Sequence, residues 1–380
     1  MDMKKTVLMF LALATAAASV VAQSAGVDDG YVAGGIRRAG TVAQPKGVSA
    51  FSDIGQYLPG GIMLGTGLTY LINGRQDWRD MGRIALTGVI GAAAEVGLVN
   101  ALKYTVCRPR PDGGAATSFP SGHSATSFFL ATMLHREYGR TVSPWFSVAG
   151  YGIAAASSLG RTASYHHWTS DVLCGAAIGV AVGEFACWLG GLVAGKWNSQ
   201  VWPDRWSDDD SWSFGLYSHY SFDRLSDYGG DAATEGLRPG VSSGVCGIRS
   251  LCRGVGVMLS ADFTQIRWNG EGDLTLPDGG TLPLLKTLRA GVTGLLPLAG
   301  PVSAFSDLQA GYVWGADYTL ADEGGALFDA ALPSGFDIRL DLGLSLRTAK
   351  TMAVKFYGGL EHYAGYGLLA SAGTSFSLVF

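Results

Sequence analysis

The residues from Phe336 to Arg347 read FDIRLDLGLSLR, and every second one of these positions is a large apolar residue. The positions between them hold small or charged residues: Asp337, Arg339, Asp341, Gly343, Ser345 and Arg347. Successive side chains of a β-strand point to opposite faces, so this period of two predicts a strand with one apolar and one polar face. Such a strand is typical of a β-barrel wall that separates lipid from a polar interior.

The same alternation continues in both directions along the C-terminal half. It recurs in 308–320 and 352–362, and the last stretch, GLLASAGTSFSLVF, ends the chain on Phe380. This ending resembles the C-terminal strand of outer-membrane β-barrels, and the resemblance implies recognition by the barrel-assembly machinery. A soluble β-sandwich also has alternating strands, but its strands are shorter than these.

The spacing of the strands predicts an antiparallel, eight-stranded transmembrane barrel over 211–380. We expect strands near these ranges: 211–222, 240–250, 254–267, 284–297, 304–320, 335–347, 351–363 and 366–380. Their connections alternate between short and long, with 364–365 as a short exception. This pattern predicts that the first and last strands of the barrel both have their chain ends in the periplasm. A barrel of this size is filled by side chains, so we expect Arg339, Asp341, Lys355 and Glu361 to form internal ion pairs rather than line a channel.

The period changes in the N-terminal half, where 52–195 carries long apolar runs rich in Ala and Gly without strict alternation. These runs predict an α-helical bundle that packs mainly on itself, and they leave contact with lipid open. Residues 196–210 are polar and aromatic, and we interpret them as a linker between a helical domain (23–195) and the barrel. The fold class is therefore α + β with two domains.

The composition excludes several classes of protein. Charged residues make up 15% of the 380 residues and hydrophobic residues 48%, whereas soluble domains average about 25% charged residues. The net charge of -4 argues against a nucleic-acid partner. Lys4 and Lys5 precede an apolar run and the small residues before Ala22, which predicts a signal peptide over 1–22, with a first transmembrane helix as the alternative.

Two of the five cysteines, Cys246 and Cys252, are close enough in sequence to bridge a turn outside the cytoplasm. Sequence spacing does not fix the distance between Cα atoms, so a disulfide and two free thiols both stay open.

Three cations of the helical half have the chemistry of a phosphate site. Arg110 and Arg161 offer bidentate guanidinium groups and Lys103 offers a point charge, which together suit a phosphate dianion. Ser121 and Gly122 lie where a helix is predicted to begin, and the free N–H groups of a helix start favour an anion.

Two histidines complete the pattern. His167 and Asp171 are four residues apart, so on a helix they share a face and the carboxylate can orient the imidazole as a nucleophile. His123 is placed to protonate a leaving alkoxide and later to deprotonate water. The residues predict phosphoryl transfer through a phosphohistidine, with side-chain cations neutralising charge and no need for a metal or other cofactor.

Three motifs carry these residues in order: K-x6-R-P from Lys103, P-S-G-H from Pro120, and R-x5-H-x3-D from Arg161. They resemble the signature motifs of the type 2 phosphatidic acid phosphatase family. The resemblance implies a helical bundle over about 52–195 and these roles: phosphate binding by Lys103, Arg110, Ser121, Gly122 and Arg161, acid–base chemistry by His123, nucleophilic attack by His167, and orientation of His167 by Asp171.

The sequence departs from the family at one position, since Gly160 stands where a serine usually precedes the arginine of the third motif. A hydroxyl donor to the phosphate is therefore missing or replaced by a backbone N–H. Four further basic residues match no motif position, and we interpret them as surface or interfacial charges: Arg108, His135, Arg136 and Arg140.

The predicted function is a metal-independent phosphatase of the outer membrane that faces the periplasm and acts on a phosphorylated lipid. The family implies phosphatidate, phosphatidylglycerophosphate, isoprenyl diphosphate or the phosphates of lipid A. The alternatives are an acid phosphatase for soluble phosphomonoesters, a vanadium-dependent haloperoxidase, and an inactive barrel with a helical plug.

Overall fold

The computed structural model describes residues 36–38, 46–112, 115–143, 145–194, 212–230, 236–268, 274–277, 283–299, 302–322, 325–349 and 352–379. They divide into two compact units, one helical and one containing the barrel. The predicted signal peptide over 1–22, the predicted linker over 196–210 and Phe380 lie outside the described residues. The predicted domain boundaries therefore stay predictions.

The helical unit contains six α-helices within its described part. They are α1 (Lys46–Gly55), α2 (Leu58–Ile72), α3 (Trp78–Val106), α4 (Gly122–Leu134), α5 (Trp145–Ala163) and α6 (Thr169–Ala194), with a π-helical turn at His135–Gly139. Helix α3 begins where the carboxylate of Asp77 accepts a hydrogen bond from the backbone N–H of Asp80 at 2.8 Å. It ends at Cys107, whose left-handed backbone (φ 49°) terminates the helix.

Helix α4 lies at the centre of the unit, and its side chains Ala125, Phe128 and Met133 are buried. Helix α6 approaches it through glycines. A Cβ atom on Gly179 would lie 2.2 Å from the carbonyl oxygen of Ala125, so only glycine permits this spacing. Small residues at a helix contact allow the backbones to pack closely, which accounts for the high glycine content of this half.

Helix α3 presents an apolar face away from this core. Val89 and Val96 on this face are 68% and 52% exposed. By length and composition, α3 and Thr169–Val193 of α6 could each cross a membrane, and only 28% of the most apolar window of α3 is buried inside the protein. Among the described helices α3 contacts mainly α6 and α4, and its outer apolar face is exposed.

Twelve strands are described. They are β1 (Ile36–Arg38), β2 (Trp212–Gly230), β3 (Leu237–Cys252), β4 (Val255–Trp268), β5 (Leu274–Leu276), β6 (Leu284–Ala299), β7 (Val302–Trp314), β8 (Asp317–Ala321), β9 (Leu327–Ala331), β10 (Gly335–Ala349), β11 (Met352–Tyr363) and β12 (Tyr366–Val379). Eight of these strands close into a barrel in the order β10-β11-β12-β2-β3-β4-β6-β7. The predicted antiparallel barrel of eight strands is confirmed.

The predicted single strand over 304–320 is wrong, because β7 ends at Trp314 and β8 leaves the barrel. A Cβ atom on Gly315 would lie 2.0 Å from the carbonyl oxygen of Leu332, so the chain turns there against a neighbouring segment. Strand β8 joins β1, β5 and β9 in a separate four-stranded sheet, in which β1 runs parallel to β5.

The two faces of the barrel wall follow the alternation in sequence. On β10, Leu342 is 57% exposed whereas Asp337 is fully buried. Inside the barrel, Arg339 pairs with Asp341 at 2.8 Å and Lys355 pairs with Asp307 at 3.2 Å. The predicted internal ion pairs are confirmed; Glu361 forms its pair with Arg289, a residue that also contacts Asp262 and Asp337.

Cys246 and Cys252 are both free thiols, so the disulfide is excluded. Both residues belong to strand β3. Six residues of extended chain separate them by about 20 Å, which is far beyond the reach of a disulfide.

Candidate active site

The start of helix α4 carries the first group of predicted site residues. The side chain of Ser121 caps the helix by accepting a hydrogen bond from the backbone N–H of Ser124 at 3.4 Å. The backbone N–H of Ser121 donates to the carbonyl oxygen of Asp171 at 3.0 Å, which ties this end of α4 to the start of α6. Around Gly122 the nearest atom to an added Cβ is Val99 Cγ1 at 3.7 Å, so the backbone can be approached closely. This helix start therefore has the features of an anion site.

The three predicted phosphate-binding cations come from three different elements. Lys103 is in the last turn of α3, and its Nζ donates to the carbonyl oxygen of Thr117 at 2.7 Å. Lys103 lies within electrostatic range of both Arg110 and Arg161. The Nε atom of Arg110 is buried and has no hydrogen-bond partner among the described residues. Because an unpaired buried donor is costly, these converging cations fit an anionic ligand.

His167 is almost fully buried, with 2% of its surface exposed. Its Nδ1 lies 2.7 Å from the carbonyl oxygen of Ser118. A carbonyl oxygen only accepts, so Nδ1 must carry the proton and Nε2 holds the lone pair. Burial lowers the pKa of His167 below its ordinary value, against the opposing effect of Asp171. The neutral imidazole with a free Nε2 is the form that a nucleophile requires.

Asp171 contacts His167 less directly than the spacing in sequence predicts. His167 precedes α6, which begins at Thr169, so the two residues do not share a helix face, and Asp171 Oδ2 lies 3.8 Å from His167 Nδ1. The carboxylate instead accepts hydrogen bonds from Ser118 Oγ at 2.5 Å, Arg108 Nη1 at 2.7 Å and the N–H of Trp168 at 3.0 Å. Through the hydrogen bond from Ser118 Oγ, Asp171 positions Ser118, whose backbone carbonyl oxygen holds the imidazole of His167.

His123, in the first turn of α4, lies opposite a carboxylate that no motif contains. Its Nε2 is 3.2 Å from Asp53 Oδ1, and the same oxygen accepts a hydrogen bond from Arg161 Nη1 at 2.8 Å. Burial lowers the pKa of His123 to about 4, with further lowering by Arg161 and His167, while Asp53 raises it. Without a bound anion, His123 is therefore neutral near pH 7.

The interpretation of Arg108 and His135 as surface charges is wrong, because they are 3% and 5% exposed. Arg108 pairs with Asp171, donates to Ser170 Oγ at 2.8 Å and stacks over the ring of Trp168 at 5.2 Å. The sequence holds two consecutive Arg-Pro dipeptides, and the spacing from Lys103 selects only the second of them. The arginine of the first dipeptide, Arg108, is the one that pairs with the buried carboxylate of Asp171.

Position 160 faces helix α1 rather than an open pocket. A Cβ atom on Gly160 would lie 3.0 Å from Ser52 Cβ and 3.3 Å from the carbonyl oxygen of Val48. A serine there would press against α1. The departure from the family motif therefore has a packing reason, since the glycine lets α1 lie close to α5.

The chain thus joins a helical domain, which carries the two histidines and the three predicted phosphate-binding cations, to a closed β-barrel. Residues 84–191 match the model of the PAP2 superfamily. The matched segment begins in α3 and ends in α6, so it lies within the helical half of the chain.

Similar proteins were found for both halves. Over 115 residues, the chain is 49% identical to the lipid A 1-phosphatase of Porphyromonas gingivalis, a match that covers 30% of this chain and 26% of that protein. A PAP2-type phosphatidylglycerolphosphate phosphatase from Bacillus subtilis is 21% identical over 50% of this chain and 98% of its own, with a TM-score of 0.36. The N-terminal β-barrel domain of Pseudomonas aeruginosa OprF is 11% identical over 45% of this chain and 98% of its own, with a TM-score of 0.29.

Proposed function

We propose that this protein is a phosphatase that releases inorganic phosphate from a phosphorylated lipid through a phosphohistidine intermediate. The observation that carries the proposal is the hydrogen bond from His167 Nδ1 to the carbonyl oxygen of Ser118, which leaves Nε2 as the lone-pair nitrogen. The PAP2 match over 84–191 and the nearby cations support the same chemistry.

The reaction has two balanced steps. His167 Nε2 attacks the phosphorus and forms a P–N bond while the P–O bond to the alcohol breaks, and His123 donates its proton to the leaving oxygen. His123, now neutral, then accepts a proton from water, whose oxygen attacks phosphorus and breaks the P–N bond. Lys103, Arg110 and Arg161, with the N–H groups at Ser121 and Gly122, would stabilise the charge on the equatorial oxygens in both steps.

A lipid substrate is favoured by the exposed apolar surface that each unit carries. The apolar outer face of α3 suits contact with acyl chains, and the barrel wall carries exposed apolar residues such as Leu342 and Leu344. The relative from P. gingivalis is a lipid A 1-phosphatase. Among the candidates that the family implies, we therefore rank lipid A first, ahead of phosphatidate, phosphatidylglycerophosphate and isoprenyl diphosphate.

We further propose that the barrel anchors the protein in a bacterial outer membrane and that the catalytic domain faces the periplasm. The closed barrel, its apolar exterior and its charged interior support a membrane position. Strand β2 begins and strand β12 ends at the same opening of the barrel, where Ser213 pairs with Val379. Short connections lie at that end, as expected for a periplasmic side.

The test measures phosphate release by the detergent-purified full chain, with a chelator present. The substrates are a lipid A phosphate, a phosphatidate, an isoprenyl diphosphate and a soluble phosphomonoester. We expect release from a lipid monophosphate that His167→Ala abolishes and His166→Ala retains, because His166 Nδ1 bonds Ser164 Oγ at 2.9 Å and has no predicted catalytic role.

A trapped intermediate gives a second readout. Brief reaction with a substrate labelled in its phosphate should leave a label on the wild-type protein that is stable to base and labile to acid, as for a phosphohistidine. Equal activity of the His167→Ala variant, or loss of activity with the chelator, would refute the proposed chemistry. Preference for the soluble ester without detergent micelles would instead assign a soluble substrate.

A further inference from the structure

Asp53 lies inside the phosphate site although it belongs to no motif. Its Oδ1 accepts a hydrogen bond from Arg161 Nη1 at 2.8 Å and lies 3.2 Å from His123 Nε2. Under the proposed function, Arg161 binds a phosphoryl oxygen and His123 protonates the leaving oxygen. Asp53 Oδ1 therefore occupies the position between Arg161 and His123 that an oxygen of the bound phosphate ester would need.

The packing of helix α1 fixes the backbone that carries Asp53. Ser52 Oγ donates to the carbonyl oxygen of Ser157 at 2.8 Å, and Ser157 Oγ donates back to the carbonyl oxygen of Ser52 at 2.9 Å. Gly160 directly precedes Arg161 and gives α1 the room to approach. Because these contacts are buried while 54% of the Asp53 side chain is exposed, the carboxylate can swing away without unfolding the helix.

We propose that Asp53 is a specificity-determining residue that competes with the substrate's phosphoryl group for Arg161 and His123. In the unliganded protein its carboxylate pairs with the Arg161 guanidinium and lies within hydrogen-bond distance of the neutral His123, and substrate binds by displacing it. This inference rests on the proposed function, since it takes the cations and His123 to be the phosphate site.

The displaced carboxylate also selects the leaving group. Asp53 stays tethered to α1 beside His123, the residue that protonates the departing oxygen. When His167 attacks the terminal phosphorus of a diphosphate ester, the bond to the bridging oxygen breaks and the leaving group is a negatively charged phosphate monoester, which the carboxylate repels. A monoester leaves as an uncharged alcohol, and a carboxylate can accept hydrogen bonds from neighbouring hydroxyl groups of a sugar or glycerol. Asp53 therefore favours monophosphates on polyhydroxylated headgroups over diphosphates.

A different role would give a different kinetic result. If Asp53 only oriented His123 as Asp171 is predicted to orient His167, its removal would lower kcat and leave phosphate affinity unchanged. If Asp53 competes with the phosphoryl group, its removal strengthens the binding of phosphate and lowers KM.

The experiment is calorimetric titration of the full-length chain in detergent with inorganic phosphate, which requires no turnover. The variants are Asp53→Asn and Asp53→Ala, and the control is Asp317→Asn, which removes an exposed carboxylate of β8. We expect both Asp53 variants to bind phosphate about tenfold more tightly than wild type, since a hydrogen bond to a charged group is lost from the competing state. Asp317→Asn should bind phosphate like wild type.

Unchanged or weaker phosphate binding in both Asp53 variants, with thermal unfolding equal to wild type, would overturn the inference. So would absence of phosphate binding to every form of the protein. Tighter binding in a chain that releases no phosphate from any substrate would support competition at this site while refuting the proposed function. Phosphate affinity therefore tests the competition by Asp53, and phosphate release tests the phosphatase function.

A second measurement tests selection of the leaving group. The ratio of kcat/KM for an isoprenyl diphosphate to that for a lipid monophosphate should rise at least about fivefold in Asp53→Asn, because one unit of like charge is removed beside the leaving group. An unchanged ratio would overturn this part of the inference. A fall in kcat with both substrates and no change in phosphate affinity would assign Asp53 to the positioning of His123.

Discussion

Replacing Arg108 by methionine tests whether the buried pair with Asp171 holds the candidate site together. The side chains of Arg108 and Asp171 are 3% and 0% exposed, and Arg108 Nη1 lies 2.7 Å from Asp171 Oδ1. Methionine retains much of the length but leaves the carboxylate without this cation. Removing one partner of a buried ion pair costs about 3–5 kcal/mol. For a unit of this size, such a loss lowers the melting temperature by roughly 10 °C.

The assay follows the helical far-ultraviolet signal of the full chain during heating, because the barrel contributes little to that signal. Arg136→Met is the matched control, since Arg136 pairs with Glu184 at 2.9 Å but both side chains are partly exposed, at 18% and 28%. A pair of that kind is worth at most about 1 kcal/mol. Adding Asp171→Asn to Arg108→Met should destabilise by less than the sum of the single changes. Equal melting temperatures for Arg108→Met and Arg136→Met would refute the reasoning.

Two further outcomes follow from the charges of the two units. His123 is neutral in the unliganded protein because its pKa is about 4, and a bound phosphate dianion must raise that pKa. The basic limb of the kcat profile should therefore lie at higher pH than that of the kcat/KM profile, and superimposable profiles would contradict this. In the barrel, Arg289→Met leaves three buried carboxylates without their shared cation, and we expect a loss of about 3–5 kcal/mol. On a gel of samples heated to increasing temperatures, the Arg289→Met barrel should change from its folded to its unfolded mobility at a lower temperature than Arg347→Met, a control at an exposed residue. Equal temperatures for the two variants would exclude the network as a source of stability.

The barrel could be predicted from sequence because strand alternation is a local signal. The twelve residues from Phe336 to Arg347 show both faces of the wall, and the structure has Leu342 outside and Asp337 inside. The end of β7 could not be predicted in this way. The alternation continues past Trp314, and the turn there depends on contact between Gly315 and Leu332, which are distant enough in sequence to leave no local pattern.

The candidate site could be predicted in part because its cations and histidines occur at characteristic spacings. The residues that support them have weaker signals. Ser118 holds His167 through its backbone carbonyl, a group that every residue type has. Asp53 lies 70 residues before His123 in sequence, and only the packing of α1 on α5 brings the two together. The neutral protonation state of His123 in the unliganded protein likewise depends on burial, which a motif does not specify.

The charges in the barrel interior couple the strands to one another during assembly. Arg289 on β6 contacts carboxylates on β4, β10 and β11, and Arg339 on β10 meets His219 on β2 at 2.8 Å. No open sheet brings all these strands together, so the network can form only at closure. A register slip of one residue would turn these charges to the apolar outer face of the wall. Closure is therefore expected to be all-or-none, with misregistered barrels disfavoured by the energetic cost of separating these ions from their partners.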